Sequence, residues 1–165
     1  MQNILTRVTG KESSNILGTL GVEGGANLFL LNPNGILFGQ NARLDLRGSF
    51  VATTANSFVF PNGLLFSATN PQAPPLLTIT APIGLQFGLQ PGGITSQAVS
   101  RDSQGNLVNG LGIASASTLA LIGGEITLDS SFVFAENSPD LATGNSGDIT
   151  INARAIAGDG TVSRW

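Results

Sequence analysis

Ten carboxylates are the side chains of this sequence to weigh first for acid–base work: Glu12, Glu23, Asp45, Asp102, Glu125, Asp129, Glu136, Asp140, Asp148 and Asp159. Histidine, cysteine and tyrosine are absent from the 165 residues. That excludes an imidazole base, a Ser-His-Asp triad, a thiolate nucleophile, and imidazole or thiolate metal ligands. Paired carboxylates remain, and such pairs can hydrolyse glycosides. One pair invites that reading. Gly124-Glu125-Ile126-Thr127-Leu128 recurs as Gly147-Asp148-Ile149-Thr150-Ile151, and 149 − 126 is 23 residues. On successive turns of a solenoid, Glu125 and Asp148 would stand about 5 Å apart, near the separation retaining glycosidases use. A repeated acidic position is also what a solvated stripe looks like, and no other group converges on the pair. The reading adopted is no catalytic residue and no enzyme. Gly158-Asp159-Gly160 is a turn signal without a calcium-binding repeat or EF-hand loop around it. Gly24-Gly25, Gly92-Gly93 and Gly123-Gly124 lack the lysine and helix of a phosphate loop. No metal site and no cofactor are expected.

The elements that would carry these residues are strands. Leu20-Gly21-Val22, Leu44-Asp45-Leu46-Arg47, Leu77-Thr78-Ile79-Thr80, Ile126-Thr127-Leu128 and Ile149-Thr150-Ile151-Asn152 alternate with period two, placing Asp45 and Arg47 outward. Leu107–Leu121 comes nearest to a helical stripe, but Gly110 and Gly112 interrupt it. Leu20 and Leu44 lie 44 − 20, or 24, residues apart, close to the 23 of the later pair. Equal short strands recurring at that period predict an all-β fold, a parallel β-helix whose strands stack coil upon coil, with up to seven or eight rungs. A β-sandwich also alternates and turns often, but it does not explain the recurrence. Asn70–Pro82, with four of the eight prolines, is expected to leave the coil and pack over a face. Ser96–Gly112 is expected to form an exposed loop or hairpin, and the stretch after Ser138 a wide loop.

Asn27–Gly39 is the most strongly specified stretch. Apolar Leu28–Leu31 and Ile36–Phe38 flank Asn32-Pro33-Asn34-Gly35. Asn32 can accept the N–H two residues on, Pro33 arrives with φ preset, Asn34 tolerates the bridge region, and Gly35 can take positive φ. The expected result is strand, type I turn with a glycine bulge, strand.

Asn32-Pro33-Asn34-Gly35-Ile36 after an apolar strand resembles the signature of the secretion domain of two-partner-secretion exoproteins, the filamentous-haemagglutinin-like family. Gln2–Gly10 and Ser14–Gly18 upstream resemble the family's approach to the motif. Phe38–Ala42, Gly48–Ala55, Asn70–Leu77, Pro82–Gly88 and Thr118–Gly124 resemble its continuation. The likeness is specific over residues 2–128. It implies residues 1–128 as the secretion domain, N-terminally truncated, and residues 129–165 as the start of β-helical passenger repeats. The implied fold is a right-handed parallel β-helix with extra-helical hairpins and loops. The implied role is secretion targeting. The unfolded chain reaches the periplasm, is recognised by the POTRA domains of an outer-membrane transporter, and folds at the bacterial cell surface. The passenger would be adhesin-like, with a host or neighbouring-cell surface as its target. Asn32, Pro33, Asn34, Gly35 and Ile36 are carried over as structural and partner-recognition residues. Lys11-Glu12-Ser13-Ser14 departs from the family's usual Gly-Asn-Pro stretch.

Composition agrees with these expectations. Charged residues are 10% and hydrophobic residues 41% of the chain, the reverse of a disordered composition. A net charge of −3 and scattered basic residues give no footprint for nucleic acid. No apolar run approaches the roughly 18 residues that would span a bilayer. Met1-Gln2-Asn3-Ile4 has neither the basic nor the apolar region of a signal peptide, which is therefore expected to be missing from this chain.

Overall fold

Short apolar runs broken by Gly, Asn and Pro cannot extend into long hairpins, and the chain instead winds into coils whose strands pair with the coil before and after. The computed structural model describes residues 2–72, 81–101, 107–108, 110–114, 116–135, 148–158 and 162–164. The first coil holds β1 (Asn3–Arg7), β2 (Ser14–Ile16) and β3 (Thr19–Gly21), and the second β4 (Asn27–Leu31), β5 (Ile36–Phe38) and β6 (Arg43–Asp45). The third begins with β7 (Phe50–Thr53). It leaves the coil for β8 (Ser57–Val59), β9 (Leu65–Ser67) and β10 (Gly84–Gln86), and returns as β11 (Ile94–Ser96). It leaves again for β12 (Ser100–Arg101) and β13 (Leu107–Val108), and closes with β14 (Gly110–Ile113). In the fourth coil β15 (Thr118–Leu128) runs along two faces and β16 (Phe132–Ala135) along the third. In the fifth, β17 (Asp148–Gly158) and β18 (Val162–Arg164) repeat that plan. No helix occurs among the described residues, and every pairing between coils is parallel.

Side chains of equal register form ladders. On the first face Ile4, Leu28, Phe50 and Leu119 pair in succession, and on the second Ile36, Ile94 and Ile126 do so. Most of these are fully buried and fill one core with Phe38, Leu121, Leu128, Leu111 and Val133. Phe38 and Phe50 meet edge to face at 6.2 Å across it. Leu20 pairs with Leu44 at the expected 24-residue offset, and Asp45 and Arg47 are exposed. The fold is a parallel β-helix.

Two expectations need correction. Ile126 does not stack on Ile149; it pairs with Ile156, while Ile149 pairs with Leu119. Successive coils here are 149 − 119, or 30, residues apart, and the 23-residue likeness compared a second-face strand with a first-face one. The described residues form five coils rather than seven or eight, because the two departures from the third coil separate Phe50 from its partner Leu119 by 69 residues. Strands β4 and β5 do not pair with each other; β4 joins β1 and β7, and β5 joins β2 and β11. The turn between them is a corner of the coil, not a hairpin.

The first departure makes a three-stranded antiparallel sheet with β8 at its centre. It covers the outer side of the first face through a second core of Leu31, Ala55, Phe58, Phe60 and Ala68, joined by Leu5, Phe29, Phe66 and Leu85. Phe29 and Phe58 contact edge to face at 5.7 Å. Arg7 clasps the sheet from β1: its guanidinium lies 4.4 Å over the Phe66 ring and donates to the carbonyls of Ser67 (2.9 Å) and Gln72 (3.2 Å). Most of the proline-rich stretch, including Leu77–Thr80, and the stretch after Ser138 lie outside the described residues. Within Ser96–Gly112 an antiparallel hairpin forms only between β12 and β13, whereas Ser96, Ala98 and Leu111 at the ends of the stretch are buried in the coil.

Candidate functional site

The corner between β4 and β5 is where the sequence placed its site residues, and the structure brings all five together there. Asn32 is fully buried, Ile36 is buried with its side chain in the core, Gly35 is buried, Pro33 is half-buried and Asn34 is exposed. The turn has the expected form. The Gly35 N–H donates to the Asn32 carbonyl at 3.2 Å, and Gly35 has φ of +119°. The Asn32 Oδ1 accepts from the backbone N–H of Asn34 at 3.0 Å.

Burying an amide is costly unless each of its polar groups finds a partner. Asn32 meets that condition in full. Its Oδ1 also accepts from Asn34 Nδ2 at 3.1 Å, while its Nδ2 donates to the Glu12 carbonyl at 3.0 Å and to Ser14 Oγ at 2.9 Å. Its backbone N–H donates to Thr53 O at 3.0 Å. Glu12 and Ser14 belong to the first coil and Thr53 to the third, so one residue of the second coil fastens both neighbours. The amide orientation is fixed by chemistry, because a backbone N–H demands an oxygen and a carbonyl demands an N–H. Asn34 adds a second tie to the first coil, Nδ2 donating to Gly10 O at 2.9 Å.

The third and fourth coils complete the corner with glycines. Gly92 donates to the Pro33 carbonyl at 2.9 Å, and Ile36 donates to Gly93 O at 3.0 Å. A Cβ at Gly92 would lie 2.6 Å from Asn34 C and Gly35 N, and one at Gly124 would lie 2.5 Å from Pro91 O. A side chain at either position would prevent the backbones from stacking. Two of the three glycine pairs that fail as phosphate loops, Gly92-Gly93 and Gly123-Gly124, are thus the counterparts of the turn on later coils. Their legible signal was Gly-Ile in register, Gly35-Ile36 against Gly93-Ile94. Glu12, Ser14 and Gly10 were not legible as partners, because nothing in their local sequence announces a contact 18 to 24 residues away.

The carboxylate pair does not assemble. Glu125 pairs in register with Ala155, and Asp148 with Thr118. Asp148 is therefore level with a residue 125 − 118, or seven, positions before Glu125, about 20 Å of strand path. Retaining glycosidases need about 5 Å. Among the described residues no three Asp, Glu, His or Cys side chains gather where they could hold a metal ion, and no helix is long and apolar enough to cross a membrane.

The family model described as the TPS secretion domain matches residues 1–162. No curated protein and no solved structure matches the chain.

Proposed function

This chain belongs to the TPS secretion-domain family, that of two-partner secretion, and from that membership we propose that its transporter partner reads it before it folds. The family match over residues 1–162 carries the targeting role. The protein is the secretion-targeting domain of an exoprotein exported across the outer membrane. The finer steps are our reading. POTRA domains of the outer-membrane transporter bind the extended chain in the periplasm. The β-helix then forms at the cell surface and starts the coils of an adhesin-like, haemagglutinin-type passenger.

What supports recognition of the extended chain is the burial of the motif. Once the corner closes, Asn32, Gly35 and Ile36 present nothing to a partner, and every hydrogen-bonding group of the Asn32 side chain is occupied. Only Asn34 is exposed. A partner that selects this pentapeptide by its side chains must meet it open, whereas in the folded domain the same residues hold three coils together.

The test compares two states of the same chain on immobilised transporter POTRA domains. The urea-unfolded chain, diluted at the moment of mixing, should be retained, and the prefolded chain should not. Equal retention of both states would show that a folded surface is read, and retention of neither would remove the transporter role.

A further inference from the structure

We propose that the antiparallel sheet on the first face carries a binding groove for a neutral pyranose unit, independent of the corner and of transporter recognition. The groove encloses about 390 Å³ and is lined by, among others, Asn56, Leu65, Thr69, Asn70, Gln86 and Phe87. That volume lies within the range of small-molecule sites.

The first argument is charge. From Gly48 through Ser100 the sequence contains no Asp, Glu, Lys or Arg. The cation beside the groove, Arg7, is not among its lining residues and is engaged by the carbonyls of Ser67 and Gln72 and by the Phe66 ring, so a ligand held here is recognised by neutral hydrogen bonds and apolar contact. The second is the hydrogen-bond inventory. The side-chain amides of Asn56 and Gln86 make no hydrogen bond to another described residue, although the backbones of the two are joined at 2.7 Å. Each carboxamide offers two donors and an acceptor oxygen. Vicinal sugar hydroxyls donate and accept in the same way, so two carboxamides on one rim match them. The third is the apolar wall. Phe87 is 40% and Leu65 46% exposed, and both line the groove. A pyranose has an apolar C–H face that covers an aromatic ring while its hydroxyls reach polar groups at the edge.

The floor is also prepared. Arg7 holds Ser67 and Gln72 through their carbonyls, Ala68 N–H donates to Asn56 O at 2.9 Å, and Ser67 Oγ donates to the same carbonyl at 3.3 Å. Side chains that project from such a fixed backbone lose little freedom on binding. An added peptide strand is the competing occupant of this sheet. Its edges β9 and β10 are only three residues long each, which leaves little ladder for a strand to join.

The experiment is an NMR titration of the folded 165-residue chain, labelled with ¹⁵N, against maltose, cellobiose and lactose in turn. At least one should give saturable shifts at the Asn56 and Gln86 side-chain amides, with a millimolar dissociation constant. Phe87→Ala and Gln86→Ala should each weaken it about tenfold or more, with melting temperature unchanged. Absence of saturable shifts with all three sugars overturns the proposal. So does binding that survives both substitutions, or saturation only by an extended neutral peptide. None of these outcomes bears on retention by POTRA domains, so the two proposals fail separately.

Discussion

Replacing Asn32 tests whether the corner is a clamp between coils or merely a turn. Asn32→Ala removes four side-chain hydrogen bonds, two donated by Nδ2 and two accepted by Oδ1, from a site with no solvent exposure. At about 1 kcal/mol net for each, the loss would reach about 4 kcal/mol. Glu12 and Asn34 are exposed residues whose freed groups can turn to water, so we expect about 3 kcal/mol. Asn32→Asp keeps the shape and is the sharper perturbation. It sets a carboxylate oxygen against the Glu12 carbonyl, which cannot donate, and places a charge where there is no water. Burial raises the folded-state pKa of the introduced carboxyl above its unfolded value of about 3.9. The sign follows: the penalty is present in full above the folded pKa and fades as pH falls toward the unfolded value, because the neutral acid can donate to Glu12 O. Urea melts with a shared m-value, run at neutral pH and at stepwise lower pH, measure both effects. A loss under about 1 kcal/mol for the alanine variant would refute the clamp. An aspartate variant whose deficit relative to the parent does not shrink on acidification would refute the assigned partners.

Gly35→Val should destabilise by at least about 1 kcal/mol, since φ is +119° there and a Cβ would lie 3.1 Å from Gly93 O. A loss of a few tenths in a urea melt would contradict it. Gly92→Ala should lower the urea midpoint because its Cβ would sit 2.6 Å from turn backbone, whereas Gly10→Ala, with nothing within 4 Å, should change it little; equal midpoints for the two would count against stacking at the corner. Thr54 Oγ1 is buried without a partner, so Thr54→Val should stabilise by about 1 kcal/mol in thermal or urea melts. Phe58→Ala should cost about 3–5 kcal/mol, because Phe58 is 1% exposed in the second core and contacts Phe29; retention of full stability would mean the antiparallel sheet is not docked as described.

The fold class was legible because alternation and corner chemistry are local properties. Pro33, Asn34 and Gly35 announce their turn within four residues, and Leu20 and Leu44 announce a coil because nothing intervenes between them. Register was not legible where insertions intervene. The 69 residues from Phe50 to Leu119 hide a neighbour relation as close as that of Leu28 and Phe50, 22 residues apart. The misassigned pair at Ile126 and Ile149 has a related cause. Strand β15 lies on two faces, and both halves alternate aliphatics, so sequence likeness cannot tell the next face from the next coil. The role of the motif was legible as a turn but not as a clamp, since nothing in the local sequence of Glu12 and Ser14 announces a contact with a residue 20 and 18 positions away.

Position along the chain gives the clamp its use. Closing a flexible loop costs free energy that rises as (3/2)RT ln n, so a 69-residue closure costs about 0.9 kcal/mol more than a 24-residue one. The bonds of Asn32 to Glu12, Ser14 and Thr53 all close within short spans, the longest being 53 − 32, or 21, residues. Only the contacts with Gly92 and Gly93 await the return of the chain from its first excursion. Residues 3–53 can therefore assemble β1, β4 and β7 and close the corner between the first two coils before β11 arrives. Once formed, that corner presents the unpaired carbonyl of Pro33 and N–H of Ile36 to the returning strand. These are the groups that Gly92 N–H and Gly93 O then meet, and the absence of side chains at both glycines lets the meeting occur at backbone distance. An early closure in the second coil thus sets the register of the third, and the loop of 92 − 33, or 59, residues closes onto an existing template.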